Sequence, residues 1–268
     1  MIYNLYDLYF EVTRRCNMQC KHCMRGPLEK VDMPKEYVDA MFKQLNGGFI
    51  GQLTLGGGEP TLNPELINYI VDKIIKDQMA VHRVSMITNG KEFNKDVADA
   101  FNRIEDYIRG TTFGKEFKSN PSQLVRIAFS TDPYHQKMTA AVRKQYEKSC
   151  KNVGFEDHCV SDDRILKTGL STFGQEYTYW LPNEIYIHRL FEPTALIQGL
   201  LYLTATGYLT SNGEGSYIDM DELNYGHITE LSLDGVVQNY FMNTDSFFRE
   251  ENLGKTPERV MRRHQEAQ

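Results

Sequence analysis

Short apolar runs alternate with amphipathic segments of helical period through the first half of the chain. Tyr6 to Val12, Gln52 to Leu55, Val84 to Ile87 and Leu124 to Phe129 are four strand-like runs. Between them lie apolar stripes of helical spacing: Met33, Tyr37, Met41 and Leu45; Leu66, Ile70 and Ile74; Val97, Phe101, Ile104 and Ile108. Pro34 suits a first helical turn, and Asn46-Gly47-Gly48 ends that helix. Asn63-Pro64-Glu65 reads as a cap followed by a proline at the first helical position. Thr111 to Ser122 is expected to be a polar loop, and Lys137 to Lys151 is helical in composition. Strands separated by helices predict a parallel sheet built from βα units.

The second half is less regular. Ile165 to Leu170 predicts a strand, and Tyr177, Tyr179 and Trp180 form an aromatic run. Glu184 to Leu190 alternates like a strand with one wet face, and Leu201 to Thr210 reads as a hairpin with Gly207 in its turn. After Gly235 the chain reads as helix and tail. The predicted organisation is a partial (β/α)6 TIM-like barrel over 1–195, then a small hairpin-and-helix appendage over 196–268.

Composition narrows the class. The 268 residues are 41% hydrophobic and 25% charged, as in an ordinary globular protein. The net charge of −6 makes a general nucleic-acid-binding surface unexpected. The first residues lack the charged and apolar regions of a signal peptide, and no apolar run reaches the length of a membrane span. Five cysteines, three of them clustered, do not resemble a disulfide framework. The expectation is a cytoplasmic protein with no membrane partner.

The chemistry gathers at strand ends. Cys16, Cys20 and Cys23 follow the first strand with spacing C-x3-C-x2-C. Soft ligands this close suit an iron–sulfur cluster or zinc. Three is one too few for a closed tetrahedral zinc site, unless His22 or a distant residue completes it. Gly56-Gly57-Gly58-Glu59-Pro60 follows the second strand, Thr88-Asn89-Gly90 the third, and Ser130-Thr131-Asp132-Pro133 the fourth. That is the end at which parallel α/β folds place their sites.

Together these motifs resemble the radical SAM superfamily. The likeness runs from Cys16-x3-Cys20-x2-Cys23 through Gly57-Gly58-Glu59-Pro60 and Thr88-Asn89-Gly90 to Ser130-x-Asp132, about the first half of the chain. The resemblance implies that Cys16, Cys20 and Cys23 bind three irons of a [4Fe–4S] cluster, and that S-adenosylmethionine binds the fourth. It implies that Gly57 and Gly58 let backbone approach the methionine moiety and that Glu59 pairs with its ammonium. Ser130 and Asp132 are implied as polar contacts to ribose or methionine, and Asn89 as a contact to cofactor or substrate. Each also has a plainer reading: turn glycines, a turn asparagine, a helix cap. His22 stands where the family often has an aromatic packed near adenine. His135 is a candidate substrate-facing residue. Arg14 and Arg15 balance charge at the cluster, bind substrate anions or are solvated loop cations, the last being the commoner outcome.

The implied activity is reductive cleavage of S-adenosylmethionine to a 5′-deoxyadenosyl radical that abstracts hydrogen from a substrate, with an electron donor such as flavodoxin or ferredoxin as partner. Leu203 to Ile228 resembles the hairpin-and-return segment of peptide-modifying members whose extensions carry auxiliary clusters. Here that stretch has no cysteine, and none follows Cys159. Cys150 and Cys159, with His158 nearby, are either ordinary thiols or the start of a second metal site. A peptide or protein substrate is favoured; the alternatives are a nucleotide or other small metabolite, and a non-catalytic iron–sulfur or zinc module.

Overall fold

The computed structural model describes residues 1–23, 26–116, 123–135, 140–159, 170–172, 184–188, 194–211 and 224–238. The chain forms two compact units, Met1–Glu230 and Leu231–Gln268. The first contains one sheet. Its strands are β1 (Ile2–Thr13), β2 (Phe49–Gly57), β3 (Ala80–Thr88), β4 (Val125–Ser130), β5 (Gly154–His158), β6 (Glu184–His188), β7 (Thr194–Leu203), β8 (Tyr208–Ser211) and β9 (Asn224–His227). The strand order is β5-β4-β3-β2-β1-β7-β8-β9, with β6 also on β7. Strands β1 to β5 are parallel neighbours in sequence order, and β7 lies parallel to the other edge of β1. Six parallel strands therefore form an open sheet, a partial TIM-like barrel. The antiparallel β6, β8 and β9 extend it. A division at 195/196 passes through β7.

The helices connecting the parallel strands are α1 (Lys35–Gln44), α2 (Pro64–Lys76), α3 (Lys95–Gly110) and α5 (Ala140–Ser149), with a short α4 (Thr112–Glu116) after α3. The apolar stripes read from sequence are buried faces, apart from Tyr37, which is half-buried: Met33, Met41, Leu45, Leu66, Ile70, Ile74, Val97, Phe101, Ile104 and Ile108 are all within 3% of complete burial. Phe10 of β1 meets Phe42 of α1, and Phe129 of β4 meets Tyr146 of α5, so these strand positions face the helices.

The other face is polar. Tyr202, Tyr9, Thr54, Ser85 and Arg126 lie side by side in register across β7, β1, β2, β3 and β4. Tyr9 stacks on Tyr202 with ring centroids 4.6 Å apart, Thr54 and Ser85 share a buried hydrogen bond of 2.9 Å, and Arg126 pairs with Glu156 of β5. A parallel sheet covered by helices on both faces would carry apolar side chains on both. Among the described residues only one face is so covered.

The polar loop expected over Thr111 to Ser122 is in part helix. The Thr111 hydroxyl accepts from the Gly114 amide and caps α4, and Phe113 stacks on His82 at 4.1 Å. A five-residue helix held by a cap and one aromatic contact leaves no periodic signature. The hairpin expected at Gly207 is present: Leu203 pairs with Leu209, and Gly207 has φ +88°. The strand expected at Ile165 to Leu170 and the aromatic run at Tyr177 to Trp180 lie, apart from Leu170, outside the described residues. In the second unit, 233–238 are helical, with the Ser232 hydroxyl accepting from the Gly235 amide.

Replacing Phe10, fully buried against α1, by Ala is expected to cost roughly 3–5 kcal/mol. Tyr6→Ala, at a side chain 56% exposed on the same strand, should stay within about 0.5 kcal/mol of wild type in urea denaturation.

Candidate active site

Because β1 to β4 are neighbours in sequence order, the four loops at their C-terminal ends stand side by side. Two backbone hydrogen bonds join the first two loops: the Gly58 amide donates to Thr13 O and the Glu59 amide to Arg15 O, both at 2.8 Å. This contact explains the glycines. A Cβ at Gly57, whose φ is +136°, would lie 2.2 Å from Thr13 O, and one at Gly58 would lie 2.3 Å from Arg15 O. The strand-end glycines thus seat the cysteine loop on the β2 loop.

Glu59 is the centre of this arrangement. Its side chain is buried, and Oε1 accepts from the Thr61 amide (3.1 Å), the Thr61 hydroxyl (2.6 Å) and the Thr88 hydroxyl (2.7 Å). Oε2 accepts from the Asn89 amide at 2.8 Å. Burial pushes its carboxyl above the ordinary range, while the four donors favour the charged form. Oε2 has one protein donor and keeps room for another. Asn89 carries the connection onward: its Nδ2 donates to Asn17 Oδ1 at 2.9 Å and approaches Cys16 Sγ at 3.8 Å. Lys91 Nζ also reaches Asn17 O. Asn63 caps α2 through Leu66 N and donates from Nδ2 to Val12 O at 2.9 Å, tying that helix to β1.

Cys16, Cys20 and Cys23 are free thiols, each partly exposed. Burial, then the neighbouring Cys16 and Cys23 and Asp132, push the Cys20 thiol up to about 12. Burial also raises Cys16, though a hydrogen bond from the Met18 amide opposes it. Cys16 and Cys23 each disfavour the charged form of Cys20, so three thiolates here would repel one another, and a cationic iron–sulfur core would relieve that repulsion. His22 does not close the set as a fourth ligand. Its Nε2 is directed at Asp132 Oδ1, 3.9 Å away, and its ring packs on Tyr134 and His135. Burial, and then the neighbouring His135, hold the His22 imidazole below its ordinary pKa. The donor set fits a cluster with one iron left open to the sulfonium cofactor.

Ser130 and Asp132 are buried at the end of β4. Asp132 Oδ1 accepts from the Tyr134 and His135 amides at 3.0 and 3.2 Å, and Oδ2 meets His135 Nδ1 at 2.7 Å. Asp132 therefore caps its own turn and also points into the site. Arg14 and Arg15 are structural clamps. Arg14 bonds the buried Glu11 and Glu29; Arg15 bonds Asp32 and Leu62 O. Glu11 also accepts from the Ala205 amide in the β7–β8 turn at 2.8 Å. Motif spacing alone did not reveal these partners; the one signal was a charged residue, Glu11, set between the apolar Phe10 and Val12. Cys150 and Cys159 do not converge. Cys150 is buried at the end of α5 with its thiol toward Ala98 O, and exposed Cys159 follows the opposite end of β5.

Residues 10–111 match the model of the radical SAM superfamily. A solved structure of native anSMEcpe with bound AdoMet and Cp18Cys peptide has a TM-score of 0.54 at 13% identity, over 93% of this chain and 81% of that one. Native anSMEcpe with bound AdoMet gives 0.51 at 13%, over 92% and 82%. Streptococcus suis SuiB bound to precursor peptide SuiA gives 0.46 at 10%, over 82% and 62%. No curated protein matched the sequence. The likeness to the radical SAM superfamily, whose cofactors are S-adenosylmethionine and a [4Fe–4S] cluster, covers residues 10–111 of this chain, and the fold is shared with solved structures that bind AdoMet. Among the described residues, no helix is long and apolar enough to cross a membrane.

Gly58→Ala should displace Arg15 O and with it the start of the cysteine loop. Iron retained after anaerobic reconstitution is expected to fall well below wild type although every cysteine is intact. Full loading in Gly58→Ala would show that the loop does not depend on this contact.

Proposed function

We propose that the chain cleaves S-adenosylmethionine reductively at a [4Fe–4S] cluster held by Cys16, Cys20 and Cys23, and removes a hydrogen atom from a peptide or protein. When bound, the cluster and cofactor supply methionine and a 5′-deoxyadenosyl radical able to attack an unactivated carbon. The observation that carries this reading is the junction of the cysteine loop with Gly58 and Glu59. It sets a pre-arranged carboxylate and two glycines beside a three-thiol set.

In this reading Gly57 and Gly58 admit the methionine backbone, and Glu59 Oε2 accepts from its ammonium. The four donors to Glu59 keep it from swinging away. Asn89, Ser130 and Asp132 supply polar contacts to the rest of the cofactor. The polar sheet face, with Tyr9, Thr54, Ser85 and Tyr202, orients the substrate below the strand ends. A peptide is favoured for two reasons. The described sheet is open, which leaves a lateral mouth for an extended chain. The hairpin segment after β7 resembles that of peptide-modifying members, although it lacks the cysteines that bind their auxiliary clusters. The anSMEcpe structure of the same fold was solved with a peptide bound. The electron comes from a small redox protein such as flavodoxin or ferredoxin, and the expected compartment is the cytoplasm.

Anaerobic reconstitution with iron and sulfide should give a [4Fe–4S] cluster, and dithionite with S-adenosylmethionine should release 5′-deoxyadenosine. Cys20→Ala should abolish both. One zinc and no iron per chain, or cleavage persisting in Cys20→Ala, would sink the ligand assignment. For the substrate, a fully deuterated cell extract can be split by dialysis. Deuterium entering 5′-deoxyadenosine from the retained fraction supports a peptide or protein; deuterium from the dialysate alone replaces it with a small metabolite.

A further inference from the structure

A second cluster of ligand-type side chains stands beside the cysteine loop. Its members are His22, between Cys20 and Cys23, and Asp132 and His135, after β4. One ligand atom from each lies within 4.8 Å of the others. Asp132 has a fully buried side chain, and those of His22 and His135 are 11% and 17% exposed. The two imidazole rings meet edge to face, with centroids 4.6 Å apart.

Hydrogen bonding does not account for the placement of His22. Among the described residues its Nδ1 is buried with no partner, and its Nε2 stops 3.9 Å from Asp132 Oδ1, beyond hydrogen-bonding distance. A buried imidazole with neither nitrogen bonded is costly unless something else takes a lone pair. Asp132 is already oriented by the amides of Tyr134 and His135, which bond Oδ1 and leave Oδ2 toward His135. Such outer hydrogen bonds are what fix a ligating carboxylate in place.

We infer that His22, Asp132 and His135 form a mononuclear site for a divalent transition-metal cation, distinct from the three-cysteine site. Two imidazoles and one carboxylate, with positions left for water, suit Zn2+ or Fe2+. The site bridges the cysteine loop and the end of β4, which no backbone pairing joins among the described residues. The cation draws the two together at the mouth. In this assignment Asp132 serves the cation in place of the cofactor contact given to it above, and Ser130 and Asn89 keep theirs. The site uses no cysteine and does not depend on cluster assembly.

The test uses Zn2+ and Co2+ as probes on the full chain with Cys16, Cys20 and Cys23 all replaced by Ala. One zinc per chain should survive desalting, and bound Co2+ should show ligand-field bands without a thiolate charge-transfer band. His135→Gln or His22→Gln in that background should weaken zinc binding by more than about 100-fold, beyond the loss expected from an outer-shell partner. If the triple variant does not fold, the reconstituted wild-type protein gives the same answer: one zinc in addition to the cluster iron, lost in His135→Gln. Absence of zinc from both proteins overturns the site, as does zinc that remains in both histidine variants. Zinc retained where S-adenosylmethionine cleavage is lost, or the reverse, separates this site from the cluster.

Discussion

The Glu59 carboxylate is buried where β2 and β3 end, and it accepts four hydrogen bonds from Thr61, Thr88 and Asn89. Hydrogen bonds to a charged group contribute roughly 1.5–3 kcal/mol each, and an unpaired buried carboxylate would be prohibitive. The backbone amide of the same residue bonds Arg15 O. One residue thus connects the ends of β1, β2 and β3. The cysteine loop is a strand-end loop held by its neighbour, and the Cys16 thiol meets Asn89 of the third loop.

The sheet divides its two faces between stability and chemistry. On one, Phe10, Phe129 and the apolar stripes of the helices are packed dry. On the other, hydroxyl, aromatic and charged side chains lie in register from β7 to β4, with Tyr9 on Tyr202, Thr54 on Ser85 and Arg126 on Glu156. Period-two alternation puts every second side chain on the polar face, so a single strand serves both. The loops at the strand ends then sit directly above a polar floor. The β7–β8 turn is held there too, through the amide of Ala205 on Glu11.

Much of this was legible along the chain. Helical stripes, the Asn63 cap and Pro64, the hairpin at Gly207 and the strand-end position of every motif all follow from local preferences, and each appears in the structure. Three features were not legible, for one reason. The pairing of Arg14 with Glu11 and Glu29, the second bond from Asn63 to Val12 O, and α4 with Phe113 on His82 all depend on partners 3 to 51 residues away. No periodicity encodes such partners.

The sequence by itself determined the ligand types and their spacing, the glycines at the end of β2, and the order of βα units. These rest on covalent neighbourhood and on the period of burial. Only the tertiary structure decided that β7 lies on the far side of β1, and that the glycines serve a backbone contact as well as a turn. It also decided that Cys150 and Cys159 stand at opposite ends of β5, and that His22 turns from the cysteines toward Asp132 and His135. Each of these is a relation between strand ends, set by which strands pair and in what register, and pairing is a property of the whole sheet.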